Sequence, residues 1–388
     1  MQHYEILQQL LNYKSITPND DFILNALQNM LTELGFASHI LEFSDSKSSP
    51  VKNLYAKLGN GPENLCFAGH ADVVPVGDVS KWKYDPFLGQ IQDGIIYGRG
   101  AVDMKGAIAA FIHAVNKIKA SEDLNVFKKH KAISLLITCD EEGDAINGTK
   151  PMLEWLDVKR EKINMCIIGE PVSDAKVGDT IKIGARGSAN FKLTVYGKQG
   201  HVAYNQFTCN PIPELAALIQ HLYNHKIDRG SRLFEPSNLE FTSLGTSDSA
   251  ENVIPYSAHA YFNVRFGEAH TAFSIKKELQ KICEYFNIRF DLKCLSSSET
   301  FVSQHELVSQ LASDSVAKVC GYTPCINTKG GTSDGRFIHQ YCPVIELGLL
   351  SATAHQIDEH VSIEDLEKLS LIYQDIINTF LFGIDKKA

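Results

Sequence analysis

The hydrophobic positions of the first and last thirds of the chain predict a layer in which strands alternate with helices. Short apolar runs predict buried strands over 64–68, 132–138, 163–168 and 343–347. Between the first two runs, apolar residues recur at helical spacing at Ile108, Phe111, Ile112, Val115 and Ile118. Helical patterns also lie before 15–18, over 22–34 and after Ser362, a predicted N-cap. This order predicts an α/β fold with a mostly parallel central sheet.

The middle third follows a different pattern. Segments 189–196 and 257–266 alternate strictly between apolar and polar residues, as strands do in a sheet with one wet face. Helical patterns near 212–225 and 272–286 separate these strands. The order strand, helix, strand, strand, helix, strand matches a ferredoxin-like α+β unit. We therefore predict a catalytic domain over 1–179 and 296–388, with a smaller domain over 180–295 inserted into it.

Composition and charge narrow the class of protein. The chain has 388 residues, of which 44% are hydrophobic and 21% charged, as in an ordinary globular protein of two domains. Its 37 Lys and Arg against 46 Asp and Glu give a net charge of −9, without a basic run. Because nucleic-acid binding needs clustered cations, we expect no nucleic-acid partner.

The cysteines and the N-terminal residues indicate the cellular compartment in which the protein is expected. Nine cysteines, scattered and without a CxxC pair, argue against a disulfide framework and favour a reducing, cytoplasmic location. The first residues carry no signal-peptide pattern. No apolar run reaches the roughly 18–20 residues that cross a bilayer, so we expect no membrane partner.

Acidic and imidazole side chains follow the predicted strands of the larger domain. In chain order they are His70 and Asp72, Glu141 and Glu142, Glu170, and His355, with Asp103 at the start of the helix over 104–120. Ligands of open α/β sheets bind beyond the carboxyl ends of the strands, so these side chains are expected to converge on one crevice.

A divalent cation would resolve the repulsion among such clustered carboxylates. Mixed imidazole and carboxylate ligands suit zinc, and five of them suit two ions that share a bridging carboxylate. Each residue alone has a plainer explanation: Asp103 as a helix cap, the Glu141–Glu142 pair as a solvated loop, Glu170 as a turn. The joint pattern favours the metal.

Several strings together resemble the M20 family of dinuclear zinc amidases and peptidases: GHADVVPVGD, YGRGAVDMKG, CDEEG, GEP, GKQGHVAY, ENVIP and GGTSDGRF. The resemblance covers nearly the whole chain in order. It implies a two-domain zinc-peptidase fold, in which the inserted unit serves as a lid, and a homodimer paired through the lids. It also implies a hydrolase that removes succinate from N-succinyl-LL-2,6-diaminopimelate, a step of lysine and diaminopimelate biosynthesis.

The resemblance assigns a role to each matching residue. The implied ligands of two Zn²⁺ ions per subunit, which Co²⁺ or Mn²⁺ could replace, are His70, Asp103, Glu142, Glu170 and His355. Asp103 would bridge the ions, and the peptide bond after it is often cis in the family. The implied catalytic residues are Glu141 as general base on a zinc-bridging water, His201 from the partner subunit as oxyanion donor, and Asn252 from the lid. The side chain of Asp72 would hydrogen-bond the other nitrogen of His70 and set its tautomer.

The implied substrate contacts are less closely matched. The candidates are Arg186, Arg265, Gly331, Thr332 and Ser351. Family members that act on this substrate typically carry two arginines where this chain has Ala185 and Arg186, and Asn-Asn-Ala-Thr where it reads Leu-Ser-Ala-Thr over 350–353. They also have Pro where this chain has Asn205. Two alternatives stay open: another M20 deacylase, acting on N-acetylornithine or an N-acyl amino acid, and a metal-binding homologue without activity.

Overall fold

The computed structural model describes residues 1–46, 48–121, 130–248, 250–303 and 305–383. In this part of the chain the α-helices are α1 (His3–Leu11), α2 (Ile23–Leu34), α3 (Lys105–Ser121), α4 (Thr149–Lys159), α5 (Pro211–Asn224), α6 (Ala272–Tyr285), α7 (Glu306–Cys320), α8 (Gly335–Ile338) and α9 (Ile363–Phe382).

The strands of the same residues are β1 (Ala37–Phe43), β2 (Val51–Leu58), β3 (Glu63–His70), β4 (Gln90–Gln92), β5 (Ile95–Tyr97), β6 (Lys131–Thr138), β7 (Met165–Ile168), β8 (Thr180–Lys182), β9 (Gly184–Ala185), β10 (Gly187–Tyr196), β11 (Gly200–His201), β12 (Asn238–Thr246), β13 (Val253–Ile254), β14 (Ser257–Phe266), β15 (Phe290–Ser298), β16 (Phe301–Val302), β17 (Cys325–Asn327), β18 (Val344–Glu346) and β19 (His360–Ser362).

The chain folds into two compact units. The first comprises Met1–Ile183, Ser303–Asn327 and Ser333–Ala388, and the second comprises Gly184–Val302 and Thr328–Thr332. The second unit extends past residue 295 because β15 pairs with β10 as far as Ser298, and β16 then pairs with β9. A return segment of five residues, 328–332, also belongs to it.

An eight-stranded sheet forms the centre of the first unit, in the order β1-β2-β6-β3-β7-β18-β8-β17. The four neighbouring strands β6, β3, β7 and β18 run parallel to one another. They are the strands that the apolar runs predict, and the α/β fold with a mostly parallel central sheet is confirmed. Because these strands are covered on both faces, their sequences are continuously apolar rather than alternating.

Helices α3 and α9 pack against each other and cover the centre of this sheet. The ring of Phe67 in β3 stacks on Phe111 of α3 with centroids 4.5 Å apart, and it meets Tyr373 of α9 edge to face at 5.6 Å. Tyr373 is buried and donates a hydrogen bond of 2.6 Å to the carbonyl of Leu347, just after β18. This packing fixes the ends of the strands that lead into the site.

The second unit is a four-stranded antiparallel sheet in the order β12-β14-β10-β15, with α5 and α6 packed on it. The chain order strand, helix, strand, strand, helix, strand confirms the predicted ferredoxin-like unit. Alternate residues of β10 and β14 are buried, as the period of two predicts. Phe191 and Phe262 stack on this face, with ring centroids 5.3 Å apart.

Two further features concern the chain as a whole. None of the helices in the described ranges combines the length and the apolar composition of a segment that crosses a bilayer. All nine cysteines lie within these ranges and are free thiols.

Candidate metal centre

The candidate ligands lie at the carboxyl ends of four adjacent parallel strands. His70 is the last residue of β3, and Glu142 lies four residues after β6 ends at Thr138. Glu170 follows β7, and His355 lies in the loop after β18. Asp103 precedes α3, whose first residue is Lys105. These side chains, far apart in sequence, therefore meet at the edge where ligands of α/β sheets bind.

Asp103 is at the centre of the cluster. Its Oδ1 is 3.0 Å from Nε2 of His70, and its Oδ2 is 3.2 Å from Nε2 of His355. Glu142 completes one side, with Oε1 at 2.7 Å from Nε2 of His355. Glu170 completes the other, with Oε1 at 3.8 Å from Nε2 of His70. Each oxygen of one carboxylate thus faces a different histidine, which is the arrangement of a bridging ligand.

The proposed general base lies in the same cluster. Ligand atoms of His70, Glu141 and Glu170 are all within 4.8 Å of one another, and the same holds for His70, Asp103 and Glu142. Glu141 is only partly buried. It is a member of the first of these two groups of ligand atoms.

The tautomer of His70 is fixed by a backbone oxygen. Nδ1 of His70 is 2.9 Å from the carbonyl oxygen of Asp72, whereas the Asp72 carboxylate is 3.7 Å away. The expected hydrogen bond from His70 to the Asp72 side chain is therefore corrected to one to its main chain. The carboxylate instead accepts from the backbone N–H of Glu142 at 3.1 Å, which holds the loop after β6. With Nδ1 protonated, Nε2 of a neutral His70 presents its lone pair to the cluster.

Without a cation, the neighbouring carboxylates favour the protonated form of both histidines. Hydrogen bonds to Asp103 and Glu142 raise the pKa of His355 to about 10. Burial lowers the pKa of His70, but Asp103, Glu170 and Asp72 outweigh burial and raise this pKa well above its usual range. Burial raises the pKa of Asp103, but its bonds to His355 and His70 hold this pKa well below the usual range.

At Glu141 and Glu170, burial outweighs the favourable charge of His70. Burial, followed by the neighbouring charge of Glu170, raises the pKa of Glu141 well above its usual range. Burial and the charge of Asp103 do the same for the pKa of Glu170. Ionisation of these carboxyl groups close to other carboxylates is therefore unfavourable, and a divalent cation would remove this conflict.

The residues fit a divalent cation. Oε1 of Glu170 is buried and has no hydrogen-bond partner among the described residues, although a buried carboxylate oxygen normally has one. The donor set combines two imidazoles with three carboxylates, as zinc, cobalt and manganese sites do. The unsatisfied oxygen and this donor chemistry both point to a cation as the missing partner.

Met104 is a neighbour of the cluster that the sequence patterns did not single out. It follows Asp103 through a cis peptide bond. A Cβ added to Gly69 would lie 2.5 Å from Cε of Met104, and one added to Gly169 would lie 2.7 Å from the same atom. Gly69 precedes His70, and Gly169 precedes Glu170. A glycine directly before a candidate ligand at the ends of two neighbouring strands is the sequence signal that could have revealed this packing.

Replacing Gly169 by alanine should therefore disturb both the core and the ligands. The new methyl group would meet Phe67 Cζ, Ala107 Cβ and Met104 Cε, each at 2.7 Å. We expect a loss of about 1–3 kcal/mol in the free energy of unfolding, as for overpacked cores, and weaker metal binding. Urea denaturation and metal titration measure these effects. Gly331→Ala is the control for stability, since a Cβ there meets no atom within 4 Å. Equal stability of both variants would contradict the packing argument.

Most of the other candidate residues lie in the second unit. They are Arg186, His201, Asn252, Arg265, Gly331 and Thr332. His201 is exposed, and its Nδ1 accepts from the N–H of Ala203 at 3.1 Å. His201 ends β11, which pairs with β13, and the main-chain oxygen of Asn252 accepts from the N–H of Val202 at 3.2 Å. His201 and Asn252 therefore lie next to each other.

Two candidate substrate contacts in the second unit, Arg186 and Arg265, interact electrostatically. Burial, followed by the charge of Arg186, lowers the pKa of Arg265. Arg186 donates from Nη1 to the side-chain oxygen of Asn238 at 3.0 Å. The hydroxyl oxygen of Thr332 is buried, with no partner among the described residues. Ser351 lies in the first unit, where its N–H donates to the carbonyl of Ser173 at 3.0 Å.

Solved structures share this fold. An M20 family metallo-carboxypeptidase from Sulfolobus solfataricus superposes with a TM-score of 0.77 at 18% identity, over 99% of both chains. A dinuclear metal-binding peptidase of the M20 family from Bacillus subtilis gives a TM-score of 0.71 at 16% identity, over 98% of both chains. At these identities the likeness establishes the fold alone.

Sequence comparison establishes the family. Residues 66–379 match the model of peptidase family M20/M25/M40, and the chain belongs to this family of hydrolases. Over 377 residues, the chain is 45% identical to a relative from Ehrlichia canis that is named succinyl-diaminopimelate desuccinylase. This alignment covers 97% of each chain. The resemblance drawn from the sequence strings is thereby confirmed.

Proposed function

We propose that this chain hydrolyses the amide bond of N-succinyl-LL-2,6-diaminopimelate, releasing succinate and the free diamino acid. The observation that carries the proposal is Asp103, whose two oxygens face His70 and His355 beside the partly buried Glu141. Desuccinylase relatives at 45% identity over nearly the whole chain support the choice of substrate.

The residues that would hold two divalent cations, Zn²⁺ in our proposal, are His70, Asp103, Glu142, Glu170 and His355. Two such cations would stabilise negative charge as Lewis acids and lower the pKa of water. The chain itself orients the ligands. Nδ1 of His70, for example, donates to the carbonyl oxygen of Asp72 at 2.9 Å. Positions set in this way cost no reorganisation during the reaction.

Glu141 is the group that moves the proton. A general base must lie within reach of the attacking water, and Glu141 lies within 4.8 Å of ligand atoms of His70 and Glu170. Its carboxylate takes one proton from water as the new C–O bond forms at the succinyl carbonyl carbon. It then passes that proton to the leaving amine nitrogen as the C–N bond breaks. The protons balance, and Glu141 returns to its starting state.

Substrate charge would be met by the second unit. Arg186 lies close enough for its charge to lower the pKa of Arg265, and such a pair of guanidinium groups suits a carboxylate. Ala185 is fully buried in β9, so its position offers no further cation. We also propose a homodimer paired through the second unit, in which the exposed His201 reaches the partner's centre as an oxyanion donor.

A direct kinetic comparison tests this function. We expect kcat/KM for N-succinyl-LL-2,6-diaminopimelate to exceed that for N-acetylornithine at least about tenfold, because the acetyl group lacks a carboxylate whose charge-assisted contact contributes roughly 1.5–3 kcal/mol. Activity should fall on chelation and return with added zinc. A preference for N-acetylornithine would assign the chain to another deacylase activity. Such a preference would also explain why Ala185 replaces a basic residue.

A further inference from the structure

We propose that Glu359, together with Arg99, is a positioning residue that holds the backbone of Asp103 and the loop of His355 in the geometry that binds the cation pair. The inference rests on the metal centre of the proposed function, but not on the identity of the acyl substrate. Neither residue contacts a candidate ligand through that ligand's side chain. Their effect would pass through the main chain alone.

Glu359 is fully buried, and its carboxylate accepts hydrogen bonds from the backbone of the loop before α3. Oε2 accepts from the N–H of Gly100 at 3.0 Å, and Oε1 accepts from the N–H groups of Val102 at 2.9 Å and Asp103 at 3.1 Å. The turn that ends at Asp103 therefore closes around a single carboxylate. Three oriented N–H groups resemble an anion nest, here occupied by a side chain of the same protein.

Arg99 neutralises this buried charge. Its Nη1 donates to Oε2 of Glu359 at 2.8 Å, and its guanidinium lies 5.2 Å from the ring centre of Trp82. Arg99 is 3% exposed, so the pair is shielded from water. With the three N–H groups, the carboxylate accepts four hydrogen bonds, which is the condition under which a buried ion pair is tolerated.

The same pair reaches the loop of His355. Glu359 lies four residues after His355, and Nη1 of Arg99 also donates to the carbonyl of Gln356 at 3.2 Å. The carbonyl of Glu359 accepts from Gly98 N–H at 2.9 Å. One buried pair thus joins the two loops that carry the bridging carboxylate and one of its histidines.

This loop needs such support. His355 has a φ of 61° and Asp358 a φ of 58°, both in the left-handed region. Residues other than glycine adopt this backbone region at a cost in free energy, so the conformation persists only where its surroundings impose it. The bonds around Glu359 provide that constraint, and they aim Nε2 of His355 at Oδ2 of Asp103, 3.2 Å away.

The test replaces Glu359 by glutamine in the full-length protein. The amide keeps the shape of the side chain. Its NH₂ group, however, would face N–H donors that bond to a carboxylate oxygen in the unsubstituted protein. We expect a folded protein whose zinc affinity, measured by competition with a chelator, falls about 10–100-fold, as when the hydrogen-bond partners of metal ligands are lost. The visible spectrum of the cobalt-loaded variant should change. The kcat value should fall with little change in KM.

Glu364→Gln is the matched control. Glu364 lies in the first turn of α9, and its side chain is 83% exposed, so this variant should keep wild-type metal affinity and spectrum. Arg99→Lys keeps the charge but loses the forked geometry, and it should show a smaller loss of affinity. This second variant decides the question if Glu359→Gln does not fold.

The outcomes separate the inference from the proposed function. Wild-type zinc affinity and cobalt spectrum in a folded Glu359→Gln variant, or in Arg99→Lys if the first does not fold, would overturn the positioning role. That result would leave the metal centre intact. If the unsubstituted protein bound no cation at this centre, the proposed function would fail first. Metal titration of the unsubstituted protein therefore precedes the variants.

Discussion

Replacing Glu141 by glutamine should leave metal binding intact and slow hydrolysis by about 100- to 10,000-fold, the usual contribution of a positioned general base. The amide has nearly the shape of the carboxyl group but cannot take a proton from water. Glu141 lies within 4.8 Å of ligand atoms of His70 and Glu170 but does not join the two histidines as Asp103 does. Steady-state kinetics, combined with metal analysis of the same sample, measures both parts.

The control for this variant is Asp144→Asn, a second exchange of carboxylate for amide on the same loop. Asp144 is exposed and lies outside both groups of candidate ligands, so its replacement should leave kcat within a factor of about two. A Glu141→Gln variant with full metal content and nearly unchanged kcat would remove Glu141 from the proton transfer. Loss of metal in Glu141→Gln would instead make Glu141 a ligand.

The parallel strands and the convergence of the candidate ligands could be predicted because both follow from local patterns. Strands β3, β6, β7 and β18 are continuous apolar runs, and the polar residue after each run must lie at the carboxyl edge of the sheet. Asp103 joins them because it lies just before α3, the helix that covers the same strands. Strands β10 and β14 could be predicted as well, because their residues alternate between a buried face and a more exposed face of the sheet.

The supports of the site could not be predicted, because they depend on contacts between distant segments. Glu359 bonds to Gly100 and Asp103, more than 250 residues earlier, and no local pattern marks it. The hydrogen bond of His70 goes to the carbonyl of Asp72 rather than to its carboxylate. A sequence gives the identity of a side chain but not which of its atoms will face a neighbour.

The end of the inserted unit shows the same limit. Its last long strand, β15, does not show the clear alternation of β10, because it ends in three serines of which Ser296 and Ser297 are exposed. The burial pattern therefore ends before the hydrogen-bonded pairing with β10 does. The five residues 328–332 return to this unit after an excursion into the first. Such a short return carries no periodicity, although it includes the candidate contacts Gly331 and Thr332.

Asp103 combines the roles that make the centre sensitive to a single change. It is the one candidate ligand whose carboxylate meets both His70 and His355, at 3.0 and 3.2 Å. Its backbone N–H is held by Glu359 at 3.1 Å, and the next side chain, Met104, packs beside Gly69 and Gly169. Several buried contacts therefore hold this one carboxylate in place.

Replacing Asp103 by asparagine should therefore disable the centre more completely than any change around it. Asparagine keeps one oxygen, but its NH₂ group cannot act as a ligand, so we expect at most one ion per chain. The loss of kcat should exceed the roughly 10–100-fold that loss of an outer hydrogen-bond partner causes. Metal analysis after dialysis and steady-state kinetics measure the two effects. Asp93→Asn is the control, because Asp93 is exposed in a turn at φ 51°, a conformation that asparagine accepts. Two tightly bound ions in Asp103→Asn would show that the carboxylate does not bridge, and the arrangement of the ligands would have to be redrawn around Glu142 and Glu170.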